Sequence, residues 1–155
     1  MTNKNGFTLV EMLVVISIII LISMSAIPAI TPFLKGQRLS KGARIVQASS
    51  LAARTMAINS RKTRWLVLDS VNYKLSIKDE TNSNVLGKEE FLPGTIEFGT
   101  STGTWSAAGT STVSYDPNGT ADTSTLGTDT ITIQDKQGNT KNLKIIDYTG
   151  QIISD

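Results

Sequence analysis

The run FTLVEMLVVISIIILISMSAI, residues 7–27, constrains this chain more than any other feature. A helix of that length reaches roughly 31 Å at ~1.5 Å per residue, about the hydrocarbon thickness of a bilayer. The segment is therefore long enough to span a membrane. Within it stands Glu11, and a carboxylate inside an apolar span typically costs a few kcal/mol. The charge needs a reason.

Once that run is set aside, 155 residues leave room for one modest domain. The chain has no cysteine, which excludes disulfide staples, thiolate metal sites, a lipoprotein anchor and a cysteine nucleophile. It has no histidine either, so the usual general base, the usual zinc ligand and the histidine of a Ser-His-Asp triad are missing. Serines are plentiful, but none has such a partner. The chain is expected not to be an enzyme and to use no cofactor or metal. Its net charge of +2 hides an asymmetry. Residues 1–64 carry nine Lys/Arg against the single Glu11, and residues 65–155 carry six against twelve Asp/Glu. A basic first part followed by an acidic second part argues for two functionally different halves rather than a uniformly basic, nucleic-acid-coating protein.

Pro28 and Pro32 close the apolar run, and residues 33–60, rich in Ala, Leu, Arg and Lys, read as helix. Leu39, Ala43, Val46, Ala53 and Ala57 recur at helical spacing, flanked by Ile45, Ala48, Ala52 and Met56, which predicts one buried face. Gly36 and Gly42 weaken the helix by about 1 kcal/mol each, and the prolines remove backbone donors, so the region 28–42 is expected to bend or fray between two helical halves. After Arg64 the pattern changes to period two: WLVLD, YKLSI, TIEF, TITI, NLKIID and QIIS read as strands, separated by turn sequences such as DSVN, LPG, DKQGN and TG. At least two antiparallel hairpins follow, TITI with NLKII foremost. The Thr-, Ser- and Gly-dominated stretch 99–129 reads as a loop-rich excursion with short strands, or as partly disordered, and Trp65 and Trp105 read as packing anchors. The fold class is α+β: a long N-terminal helix packed on a small antiparallel sheet.

Locally, Glu11 admits two plain explanations. One is a secretory signal peptide with Lys4 as its basic region and a cleavage site near 23–29. The other is a signal anchor with Glu11 at the headgroups. The neighbouring residues point elsewhere. Gly6-Phe7-Thr8-Leu9-Val10-Glu11, followed by an unbroken apolar run, resembles the processing site of type IV pilins and type II secretion pseudopilins. The resemblance implies cleavage between Gly6 and Phe7 by a membrane aspartic peptidase, N-methylation of Phe7, an assembly role for Glu11 and a helix kink near Pro28. A free α-amine is cationic at neutral pH, so in a staggered stack the Phe7 amine of one subunit can meet Glu11 of its neighbour. Lys35, Arg38, Lys41 and Arg44, which follow the span, would alone place the C-terminal domain inside the cell. The resemblance implies the opposite: a cytoplasmic leader and an external domain.

The order of helix, SLAARTMAINSRKTRWLVLD, YKLSI, FLPGTIEF, YDPNGT, ITIQDKQGNTKNLKI and a closing TGQIIS resembles the GspH/FimT type of minor pseudopilin. It implies a leader 1–6, a transmembrane and assembly helix 7–34, an amphipathic helix 35–64 and a β domain 65–155. It also implies a subunit of the cytoplasmic membrane that helps initiate or cap a pilus or pseudopilus. The implied partners are other major and minor subunits, the prepilin peptidase, the inner-membrane assembly platform and, before assembly, membrane lipid. An alternative is a tip binding module for DNA or a surface ligand. Its basis is Arg61, Lys62 and Arg64 beside Trp65, a basic cluster with an aromatic. The simpler reading is a solvated helix end where cations favour the dipole, and the closing turn Thr149-Gly150-Gln151-Ile152-Ile153, where the resemblance implies basic residues in members that take up DNA, has no arginine. DNA is therefore not favoured. Asp116, Asn118, Asp122 and Asp129 offer oxygens to calcium without EF-hand spacing and read first as turn chemistry. The Asn118-Gly119-Thr120 glycosylation sequon carries little weight.

Overall fold

The computed structural model describes residues 7–99, 102–103 and 108–154, and within the helix the side chains of 25–33 and 35 lie outside the described set. The chain divides into two compact units, Met1–Gly36 and Gln37–Asp155. Helix α1, Leu9–Ser60, runs through both as one element. The expected fraying is not seen: the backbone remains helical through positions 28–42.

The second unit is built around the end of α1. Ala43, Val46, Ser50, Ala53 and Ala57 are buried at alternating three- and four-residue steps, which makes a single inward stripe. The expected stripe holds, with Leu39, Ile45 and Ala52 packed at its edge, while Ala48 and Met56 are exposed. Ser50 fills a position that polarity alone would send to solvent. Its hydroxyl meets the Tyr115 hydroxyl at 2.6 Å, and both side chains are buried. Small residues on the stripe let strands come close. A Cβ on Gly42 would stand 3.2 Å from Ile96 Cγ2 and 3.3 Å from Ile133 Cδ1.

The helix ends in a left-handed cap. Arg61 has φ 54°, the Lys62 amide reaches back to Ala57 O at 3.2 Å and the Arg61 amide to Ile58 O at 3.3 Å. This is a Schellman motif with arginine where glycine is usual.

Among the described residues nine strands follow: β1 Arg64–Asp69, β2 Lys74–Lys78, β3 Glu90–Phe91, β4 Ile96–Phe98, β5 Thr110–Tyr115, β6 Ala121–Asp122, β7 Thr130–Asp135, β8 Thr140–Ile146 and β9 Gln151–Ser154. They form two antiparallel sheets rather than the one small sheet expected. The first has the order β3-β2-β1-β5-β6, the second β4-β7-β8-β9. The β7–β8 hairpin pairs Ile131 with Leu143 and Ile133 with Lys141, as the TITI and NLKII segments predict.

Among its described residues the stretch 99–129 is a loop-rich excursion with short strands, the first of its two expected readings. It contains β5, which pairs along all of β1, from Arg64 with Tyr115 to Asp69 with Thr110. Val113 and Tyr115 are fully buried there. Thr and Ser gave TSTVSY the composition of a loop, yet Thr, Val and Tyr are strand formers, and their burial against β1 and α1 decides the outcome. Trp105 lies outside the described residues. Trp65 is half-buried on β1 and donates to Glu80 O at 3.3 Å.

Candidate functional site

The N-terminal stretch of α1 is apolar on every side. Its large hydrophobic side chains between Leu9 and Met24 are 45–82% exposed, and no amphipathic face exists to dock on a domain. Polar groups inside it are satisfied locally. Ser17 Oγ donates to Leu13 O and Ser23 Oγ to Ile19 O, each at 2.7 Å, so neither hydroxyl is left bare in an apolar medium. Among the described residues no helix is long and apolar enough to cross a membrane. The expected span 7–27 includes positions 25–27, whose side chains lie outside the described set, as does that of Pro28. Gly6 and the rest of the leader also lie outside the described residues.

At the head of this helix Glu11 has a partner that sequence reasoning missed. Thr8 donates to Glu11 Oε2 through its amide at 2.9 Å and its hydroxyl at 3.1 Å. The Glu11 amide returns a bond to Thr8 Oγ1 at 3.2 Å. Thr8 is the N-cap and Glu11 the third helical residue, so the pair is a capping box. The T-x-x-E spacing could have revealed it. Within one chain, then, Glu11 both accepts the Thr8 amide at the open helix start and places negative charge at the positive end of the dipole. Both bonds that it accepts fall on Oε2.

The basic cluster after the helix is brought together differently from the expectation. Lys62 Nζ and Arg64 Nη1 converge on the two oxygens of Glu80, at 2.8 and 2.9 Å. The Arg64 side chain is only 10% exposed, and its Nη2 donates to Ser60 Oγ at 2.8 Å. The Lys62 ammonium, joined by Arg64, holds Glu80 below the usual carboxylate range. Two of the three cations thus share one carboxylate, which offsets one of their charges and reduces what the cluster can offer to phosphates. Arg61 stands apart at the left-handed cap.

The four candidate calcium ligands are engaged separately. Asp116 accepts from Thr63 Oγ1 at 3.2 Å, Asn118 Oδ1 from the Thr120 amide and hydroxyl, Asp122 from the Ser124 amide, and Asp129 pairs with Lys144 at 3.1 Å. Among the described residues no group of three or more acidic side chains is arranged to hold a metal.

A second feature missed from sequence ties α1 to two turns. Arg54 Nε donates to Gly119 O at 3.0 Å. Gly119 has φ 87° and Gly150 has φ 62°, and a Cβ on Gly150 would meet Gly119 O at 2.5 Å. Only glycine permits both the backbone conformation and the approach. Beside this knot the β8–β9 turn carries Tyr148 almost fully exposed.

Comparison with known proteins gives a consistent picture. The family model for the prokaryotic N-terminal methylation motif matches residues 1–27. A second model, described as type II transport protein GspH, matches residues 43–147. A search of curated protein sequences returns no match. Among solved structures, the type IV minor pilin FimU of Pseudomonas aeruginosa strain PAO1 is similar, with a TM-score of 0.53 and 18% identity over 80% of this chain and 92% of that chain. At that identity the likeness is one of fold.

Proposed function

The chain belongs to the GspH family of minor pilins and pseudopilins, and from that premise we propose that it is processed between Gly6 and Phe7 and enters a filament through the first turns of α1. The family is one of structural subunits that assemble with other pilin-type subunits, and its N-terminal motif is that of membrane-anchored pilins. In our reading the leader 1–6 is removed by the prepilin peptidase, Phe7 becomes the methylated N-terminus, and residues 7–27 reside in the cytoplasmic membrane with the β domain outside. The assembly platform then extracts the subunit to initiate or cap a pilus or pseudopilus.

One observation carries this reading: between Leu9 and Met24 the helix headed by Glu11 is apolar all round with its large side chains exposed, while the described buried stripe of the same helix lies between Ala43 and Ala57. Such a helix needs lipid or other helices around it, because in water its side chains would remain hydrated at about 25 cal/mol per Å² of apolar surface. Glu11 gains from assembly. With both capping bonds on Oε2, the carboxylate keeps acceptor capacity for the Phe7 amine of the next subunit. That pairing compensates two charges that would each be costly alone in lipid. Pro28, one residue past the span, is assigned to the stretch that adapts on extraction.

The test is the intact mass and N-terminal peptide of the membrane-extracted protein from cells with and without the prepilin peptidase. A peptide beginning at methylated Phe7, lost without the peptidase, is the expected result. An N-terminus near residues 26–30, or retained Met1 in both strains, would overturn the reading. Glu11→Gln is expected to leave processing intact and to lower incorporation into filaments at least tenfold. Incorporation at the wild-type rate would remove the assembly role of Glu11.

A further inference from the structure

The two sheets have four outer edges, and three of them are blunt. β3 and β6 are two residues long, and the Ala121 amide of β6 is taken by Asp147 O. β4 has three residues, and its first amide, Ile96, is taken by Pro93 O. Short or occupied edges are the usual protection against unwanted pairing. β9 differs. Its four residues, Gln151-Ile152-Ile153-Ser154, carry no charge, no proline and no bulge.

The outer side of β9 faces a groove of about 270 Å³. One wall is α1 with Gln47, Ser50, Leu51 and Arg54, and the other is β9 with Ile152 and Ile153. The Ile152 carbonyl points into it, where Gln47 Nε2 reaches it only at 3.5 Å, the long limit of a hydrogen bond. By the alternation of an antiparallel ladder, the backbone groups of Ser154 face the same way. Leu51 and Ile153 stand 58% and 51% exposed at the rim. Among the described residues Arg54 is the one charged residue of the lining. It spends its Nε donor on Gly119 O, and a guanidinium has four further N–H donors.

We propose that this edge and groove take an extended segment of an adjoining filament subunit, added as a strand beside β9, with a carboxylate of that segment against Arg54. The inference rests on the filament reading above. An added strand replaces the long Gln47 contact with backbone bonds at Ile152 and Ser154, and its alternate side chains meet Leu51 and Ile153. The charge of the groove selects an acidic occupant, and a neighbour of the same kind has acidic strand-rich surface to offer, since residues 65–155 here hold twelve Asp/Glu against six Lys/Arg. Because the β9 edge and the surface that it receives are different patches, the contact is head-to-tail and does not close on itself, as a filament requires.

The test is site-specific photo-crosslinking of the full-length chain in cells that assemble the filament, with the reactive side chain at Ile153, at Leu13 in the apolar helix and at the remote exposed Val71. Mass spectrometry would then locate the crosslinked peptide. Ile153 is expected to crosslink another subunit within a strand next to an Asp or Glu, and Val71 is not. Ser154→Pro removes one outward amide at the strand's end, where proline is tolerated, and is expected to cut the Ile153 crosslink at least fivefold, as is Arg54→Gln. Ile152→Pro repeats the test at the centre of the edge, with the thermal transition confirming that each variant is folded. No crosslink from Ile153, one mapped to a helix or to anything other than a subunit, or one that the folded variants leave unchanged would overturn the proposal. If Leu13 crosslinks a subunit and Ile153 does not, only the edge proposal fails. If Leu13 crosslinks none, the filament reading fails, whatever Ile153 does.

Discussion

Between Leu9 and Met24, α1 presents apolar side chains on every side, whereas between Ala43 and Ala57 burial concentrates on one stripe at alternating three- and four-residue steps, with Ser49 beside it. The first stretch uses large branched residues and holds its own serines and Glu11 by bonds within the helix. The second uses alanine, glycine and serine where strands approach, and its buried hydroxyl is satisfied from another element, at Tyr115. One secondary structure thus serves two solvents. A helix meant for lipid or other helices must be complete in its polar bonds before it meets them. A helix meant for a core can borrow partners, and is then tied to that one fold.

The comparison breaks most visibly by exchanging a charge for a side chain in the packed half. Val46→Asp, at a fully buried position, is expected to cost roughly 3–5 kcal/mol, the scale of an uncompensated buried charge, and to abolish the cooperative thermal transition. Val15→Ala, in the exposed half, should leave that transition where it is. Equal shifts in the two variants would mean that both halves pack alike.

Next in size is the shared hydroxyl pair. Tyr115→Phe leaves Ser50 Oγ buried without its partner, at about 1–3 kcal/mol. Burial pushes the Tyr115 phenol up to about 12, partly offset by the Ser50 bond. The folded value lies above the ordinary value of 10, so this contribution is complete below pH 10 and is lost as the pH rises through about 12. The wild-type melting temperature should therefore fall in that window, and more steeply than that of Tyr115→Phe.

A smaller effect separates the two glycines of the helix. A Cβ on Gly36 meets nothing within 4 Å, so Gly36→Ala should stabilise by up to about 1 kcal/mol from helix propensity. At Gly42 the same gain is opposed by contacts at 3.2 and 3.3 Å, and the net change should be near zero or negative. Denaturant midpoints of the two variants decide between these outcomes. Finally, Arg61→Gly relieves a non-glycine residue of its left-handed conformation and should add about 0.5–1 kcal/mol without changing the ion pairs of Glu80.

Much of this was legible because it is local. The buried stripe 43–57 follows from helical spacing, and the β7–β8 hairpin from alternation around DKQGN. Ser50 was passed over because a hydroxyl reads as exposed until its partner, sixty-five residues away, is known. β5 was passed over because Thr and Ser are frequent in loops, and only its pairing with β1 buries them. The Thr8–Glu11 cap was open to reading by its spacing, but the membrane question about Glu11 drew attention from it. Arg61, Lys62 and Arg64 looked alike in sequence. Glu80, from the loop after β2, draws two of them together and offsets one of their two charges.

The sequence alone determined the apolar N-terminal helix, the charge reversal near residue 64, the absence of Cys and His and the strand-rich second half, since each is carried by residue type and short-range spacing. Only the tertiary structure decided the division into two sheets, the burial of the Ser50–Tyr115 pair, the glycine contact between the turns at 119 and 150, and the open edge of β9. Strand partners and buried polar partners are chosen across long stretches of chain, where closing the loop and satisfying every buried group together select one pairing among many.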